Sequence, residues 1–189
     1  MSAPRTTVDE DQLEKFQKLS ANWWSEHGEM KALHTVARKM IPQIGADYAK
    51  DGQIKTEAMT DDLPLAGLNV LEVGCGGGIL SEMLVKLGCN LTAIDIAADL
   101  IEVAKEHASA DPVTSKIKYV FEPVEEHAKS NFEKYDIVVS TFVLEHVNDH
   151  DFFIQSCVRC LKKNGSIFIS AISKSLLSWL IIIYWLNTF

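Results

Sequence analysis

Apolar positions along the chain switch between helical and strand spacing, and the switches delimit its elements. Between residues 10 and 24, Leu13, Phe16, Leu19 and Trp23 recur at helical spacing, which predicts an amphipathic helix laid against the rest of the domain. A second helix is expected around residues 33–38, with His34 and Arg38 one turn apart on one face. Gly45, Asp51-Gly52, Asp61-Asp62 and Pro64 then mark residues 45–67 as a polar linker. Residues 70–73 read as a buried strand and 74–78 as a glycine turn, and Ile79, Leu80, Met83, Leu84 and Leu87 form one face of a helix. A second strand over 91–95, a helix over 97–110, a third strand over 116–122 and a β-branched strand over 135–141 follow. A helix from about 149 to 161, ended by Asn164-Gly165, and a fifth strand over 166–171 complete the pattern. Strands alternating with helices predict an α/β domain of Rossmann-like type, with a mostly parallel sheet and helices on both faces.

The chemistry concentrates where the first βαβ unit turns. Gly74, Gly76 and Gly78 let backbone approach a ligand closely, and Asp95 stands at the end of the second strand, where a carboxylate can accept both hydroxyls of a ribose. A dinucleotide fingerprint needs its third glycine where this chain has Ile79, so the phosphate-binding reading weakens. Gly74-x-Gly76-x-Gly78, preceded by Glu72 and followed by Asp95, instead resembles the first motif of S-adenosylmethionine-dependent methyltransferases. The resemblance implies that the loop wraps the methionine part, Glu72 lies near the amino group and Asp95 holds the ribose. Glycines that serve only helix–strand packing are the alternative. Thr141 ends the fourth strand, and Glu145 and His146 follow at the edge where open α/β sheets bind ligand. Glu122 and the acids after it either approach an adenine or merely start a helix.

Composition narrows the class. The chain has 189 residues, enough for one domain, and 47% of them are hydrophobic, enough for a sizeable core. Eighteen basic residues against 26 acidic ones give a net charge of −8, which disfavours a nucleic-acid partner. The four cysteines lie within the apolar or glycine-rich framework, and Cys157-x-x-Cys160 reads as two small residues one helical turn apart rather than half a zinc site. Residues 1–10 are expected to be disordered and carry neither a signal peptide nor a recognisable transit peptide.

Lys15-Phe16, Trp23-Trp24, Glu29-x-Lys31-x-Leu33-His34, Arg38, residues 71–78, Glu125-Glu-His127 and Leu144-Glu-His-Val147 together resemble the ubiquinone-biosynthesis O-methyltransferases, over residues 8–180. Members methylate ring hydroxyls of polyprenylated catechols, on an early dihydroxybenzoate and again on a demethylated quinol. By position, the resemblance implies that Arg38, Gly74, Asp95 and Thr141 contact S-adenosylmethionine. It also implies magnesium, with Glu145 and His146 at two ligand positions, but Phe142 stands where eukaryotic members have a glutamate. A phenol is a poor nucleophile at neutral pH, so His146 is expected as the base and Glu145 as the group that orients it or holds a metal. Eukaryotic members work on the matrix face of the mitochondrial inner membrane, and the resemblance implies a membrane-associated complex with other ubiquinone-biosynthesis enzymes. Peripheral membrane contact follows from that, and a cytoplasmic location is the alternative.

Relative to the family, the last strands of the sheet are expected to be missing and residues 176–189 to form an apolar, divergent tail after a domain over 11–175. The apolar run is shorter than the ~20 residues that span a bilayer, and it reads as an interfacial helix or an exposed core helix. Phe142 and this tail leave open a non-catalytic S-adenosylmethionine-binding subunit, and the fold also suits methylation of another small hydroxylated acceptor.

Overall fold

The computed structural model describes residues 6–28 and 30–171. The expectations for residues 1–5 and for the tail at 176–189 lie outside the described residues.

Helix α1 (Glu10–Leu19) and helix α2 (Lys31–Asp51) precede the alternating unit β1 (Asn69–Val73), α3 (Ile79–Val85), β2 (Asn90–Asp95), α4 (Ala98–Ala108), β3 (Lys118–Phe121), α5 (Val124–Ser130), β4 (Tyr135–Thr141), α6 (His150–Cys160) and β5 (Leu161–Ser170). The five strands are all parallel, in the order β3-β2-β1-β4-β5. The expected Rossmann-like α/β architecture is therefore present. Alternate residues of each strand serve opposite faces. Val70, Leu91, Ala93, Ile137 and Val139 join α2, α3 and α4 in one core cluster. Leu71, Val73, Ile94 and Val138 join α5 and α6 in the other. β4 lies between β1 and β5 and is buried at every position, as its β-branched run requires.

Three local expectations change. Helix α2 continues through Gly45 to Asp51 because Ala37, Ile41, Ile44 and Tyr48 extend one buried stripe down its length. Gly45 fits there because a Cβ would come within 3.0 Å of Pro64 and 3.1 Å of Leu87. Asn164-Gly165 does not cap α6. It lies inside β5, with Asn164 at φ +67°, where the pairing jumps from Tyr135↔Leu161 to Ile137↔Ser166, an irregularity of the bulge type. Thr6 to Asp9, expected to be disordered, lie against the domain: Thr7 is buried, and its N–H and hydroxyl donate to the two oxygens of Glu125 at 2.9 and 2.8 Å. Cys157 and Cys160 are buried on α6 as unpaired thiols.

Candidate active site

The turn after β1 is shaped by backbone that only glycine adopts easily. Gly74, Gly76 and Gly78 have φ of +80°, +53° and +89°. The Gly76 N–H donates to Asp95 Oδ2 at 2.7 Å, and the Ala97 N–H donates to Asp95 Oδ1 at 2.8 Å. The carboxylate is thereby fixed at the tip of β2, and each oxygen keeps lone-pair capacity for a further donor. Burial raises the Asp95 pKa, and the backbone N–H groups of Gly76, Ala97 and Ile96 work against that rise.

Side chains from the N-terminal elements roof this turn. The Trp23 ring lies so close that a Cβ at Gly76 or Gly77 would meet it at 2.4 Å. Trp24 Nε1 donates to the Gly77 carbonyl at 2.9 Å, and its ring stacks on His107, with centroids 3.4 Å apart. His107 Nδ1 in turn lies 2.6 Å from Glu82 Oε1. On the other side, Val143 fills the space a Cβ at Gly74 would need. Helical spacing put Trp23 on an apolar stripe, and no local signal announced the place of the tryptophan pair over the glycines.

A cavity of about 670 Å³ opens beside the turn, within the range of sites that enclose small ligands. Gly74, Gly76, Asp95, Thr141, Glu145 and His146 all line it, so six of the nine expected site residues converge. Much of the remaining wall is apolar, including Leu13, Phe16, Leu33, Leu100 and Phe153. Glu145 and His146 sit on a 3₁₀ turn, Leu144–His146, just beyond β4. Phe16 packs edge-on against the His146 ring at 4.9 Å between centroids, a contact whose only sequence signal was the apolar stripe of α1.

Three expected residues lie elsewhere. Glu72 is buried beneath the turn rather than in the cavity wall, and its Oε2 accepts from the Ser81 hydroxyl at 2.5 Å. Burial pushes its pKa up to about 7, with the Ser81 bond opposing and the Asp95 charge adding to the rise. Gly78 is the left-handed residue that opens α3, and a Cβ there would meet the Tyr119 hydroxyl at 2.6 Å. Arg38 does not share a surface with His34. His34 is buried edge-on to Trp24, whereas Arg38 is half-exposed and pairs with Glu26 at 2.5 Å.

Residues 71–169 match the family described as a methyltransferase domain. The chain is 36% identical over 183 residues to the ubiquinone biosynthesis O-methyltransferase of Colwellia psychrerythraea, an alignment covering 97% of this chain and 72% of that protein. It belongs to the ubiquinone biosynthesis O-methyltransferase family. The mitochondrial ubiquinone biosynthesis O-methyltransferase of Rattus norvegicus is 40% identical over 177 residues, covering 93% of this chain and 50% of the relative. The chain thus spans about half the length of the mammalian family members it matches. The crystal structure of magnesium protoporphyrin IX methyltransferase from Synechocystis with bound S-adenosylhomocysteine superposes with a TM-score of 0.67 at 21% identity, covering 94% of this chain and 79% of that one. That likeness places this family member in the fold of S-adenosylmethionine-dependent methyltransferases.

The cavity suits S-adenosylmethionine: it has a pinned carboxylate at the β2 tip, Gly74 and Gly76 of the turn in its wall, and apolar sides. The donor set does not suit magnesium. Phe142, at φ +59°, lines the cavity with a phenyl ring, and Glu145 and His146 supply one carboxylate and one imidazole, whereas magnesium prefers a shell of oxygens. Among the described residues no group of three or more His, Cys, Asp or Glu side chains could hold a metal ion.

Proposed function

We propose that this chain is an S-adenosylmethionine-dependent O-methyltransferase acting on ring hydroxyls of polyprenylated catechols, the early dihydroxybenzoate and the demethylated quinol. The observation that carries this reading is the opening of Asp95 and His146 onto one largely apolar cavity. When bound, S-adenosylmethionine supplies an electrophilic methyl carbon on its sulfonium. Asp95 accepts the ribose hydroxyls, and the glycine turn forms the cavity wall beside it. His146, held edge-on by Phe16, takes the phenolic proton as the oxygen becomes nucleophilic, and Glu145 beside it stabilises the imidazolium. The apolar walls exclude water and align the acceptor ring, which is the larger part of the rate gain in an in-line transfer. No step runs through magnesium.

Family membership supports a place in ubiquinone biosynthesis, and mitochondrial relatives support a mitochondrial location, which this reading puts on the matrix side of the inner membrane. Among the described residues no helix is long and apolar enough to cross a membrane. Contact with a lipid-borne substrate is peripheral in this reading. Association with other enzymes of the pathway is part of the same reading. Methyl transfer to a short-chain catechol tests it. His146→Asn is expected to lower kcat about 10²- to 10⁴-fold while leaving S-adenosylhomocysteine affinity within a factor of two or so. Equal turnover by the variant would overturn the role of His146.

A further inference from the structure

A second cavity, of about 470 Å³, opens at the edge of the sheet opposite the active site. The strands are parallel, so their first residues share that edge: Asn69 opens β1, Asn90 opens β2, Lys118 opens β3, and Lys134 immediately precedes β4. All four line the cavity, together with Thr92 of β2 and Lys116 of the 3₁₀ turn before β3. Asn69 pairs with Asn90 and Thr92 with Lys118, so strand alternation puts these four side chains on one face of the sheet.

The two cavities are opposite in charge. The active-site cavity is lined by Asp9, Asp95, Glu122 and Glu145 and by no Lys or Arg. The second is lined by three lysines and by no Asp or Glu, in a chain of net charge −8. Among the described residues Lys18, Arg38, Lys105, Lys129 and Lys162 each pair with a carboxylate, whereas Lys116, Lys118 and Lys134 do not. Lys134 donates to the Asn131 side-chain oxygen at 2.7 Å, which orients its amine and leaves further N–H bonds for a ligand. Three like charges gathered without a counter-charge repel one another, and a bound anion removes that repulsion. An exposed edge strand by itself accounts for Lys118, but Lys134 approaches from β4, on the far side of β2 and β1.

The spacing selects the ligand. β3 and β4 stand three strand intervals apart, roughly 14 Å. The lysines therefore reach in from opposite sides, and two linked phosphate groups meet both sides more readily than one. Asn69, Asn90 and Thr92 lie between them as neutral hydrogen-bonding groups. The apolar walls at Val85, Leu91 and Val113 suit an organic group attached to the phosphates. We propose that this cavity binds a diphosphate-bearing anion, held by Lys116 and Lys118 from the β3 side and by Lys134 from the β4 side. The site is separate from the cavity of methyl transfer and does not depend on that reaction.

Calorimetric titration of the full chain with inorganic pyrophosphate and with orthophosphate, in metal-free buffer, tests the site. Saturable binding of one pyrophosphate is expected, about tenfold or more tighter than orthophosphate. Lys118→Gln and Lys134→Gln are each expected to weaken pyrophosphate about tenfold, the loss of one charge-assisted hydrogen bond, and Lys118→Arg to retain most of the affinity. Lys50→Gln, which removes the same charge from α2, is expected to change it by less than about twofold at physiological salt. No saturable pyrophosphate binding, equal affinity for orthophosphate, or equal weakening by Lys118→Gln and Lys50→Gln would overturn the site. Sedimentation with vesicles of phosphatidylcholine and phosphatidylglycerol separates a free anion from a membrane. Vesicle binding that is lost in Lys118→Gln and not displaced by pyrophosphate would overturn the diphosphate ligand in favour of a lipid surface. Each of these failures leaves the proposed methyl transfer standing.

Discussion

The Gly76 N–H donates to Asp95 Oδ2 at 2.7 Å, fastening the turn after β1 to the tip of β2. One hydrogen bond thus joins the two features that the sequence motif placed far apart in the chain, and it sets the orientation of the carboxylate on which ribose binding depends. The turn is held from below by β-sheet and from above by Trp23 and Trp24, so its shape depends on residues well outside the motif.

That roof gives a prediction with a built-in control. Gly77 lacks the positive φ of Gly76, yet a Cβ at either position would lie 2.4 Å from the Trp23 ring. Gly77→Ala is expected to destabilise the fold by about 1–3 kcal/mol through overpacking, and Trp23→Leu should relieve much of that in the double variant. Gly76→Ala combined with Trp23→Leu should recover less, because the left-handed strain remains. Urea unfolding of the single and double variants reads both; additive effects at Gly77 and Trp23 would contradict the packing argument.

Glu72 predicts a pH dependence. Its folded-state pKa, about 7, is raised above the ordinary 4.5, so the folded protein holds the proton more tightly than the unfolded chain. Its contribution is therefore fully present below about pH 4.5 and is lost as pH rises through about 7. A shift of that size is worth a few kcal/mol at ~1.4 kcal/mol per unit. Glu72→Gln keeps an acceptor for Ser81 and should be more stable than the parent at pH 8, with a flatter profile between pH 4.5 and 7. Parallel unfolding profiles for the two proteins would remove Glu72 as the cause.

The N-terminal segment is tied across the cavity. Thr7 donates twice to Glu125, and the Asn148 N–H and side chain donate to the Thr7 and Val8 carbonyls at 3.3 and 3.0 Å. Thr7→Val removes the hydroxyl bond to a buried carboxylate and is expected to cost about 1–3 kcal/mol in local closure. Hydrogen exchange of residues 6–19 should accelerate by roughly ten-fold or more, with the β4 amides unaffected. Unchanged exchange in α1 would show that the latch does not hold it.

The sheet was legible because its signals are local. The β-branched run of β4 and the strand–glycine–helix unit around β1 state their own conformation, and both stand where the pattern put them. The errors came where a local signal was outweighed by packing at a distance. Gly45 and Asp51-Gly52 look like a helix end, but the contact of Gly45 with Pro64 and Leu87 lets α2 run on. Asn164-Gly165 carries the chemistry of a cap and is spent on an irregularity in β5. Asp95, Thr141, Glu145 and His146 line one cavity because β2 and β4 end on the same edge of the sheet. Glu72 lies off the cavity wall because the alternation within β1 turns it away, where the Ser81 hydroxyl donates to it, and Arg38 stands on the solvated side of α2 paired with Glu26. The bond between Thr7 and Glu125 joins residues remote in sequence, and no local pattern announces it.

The central claim is that the glycine turn and Asp95 form a nucleoside cradle, and calorimetric titration with S-adenosylhomocysteine tests it most directly. The unaltered chain is expected to bind with a Kd on the order of micromolar, and Asp95→Ala, which removes the acceptor for both the ribose and the Gly76 N–H, to lose ~100-fold or more. Binding of equal strength to the parent and to Asp95→Ala, or no binding to either, would contradict the account.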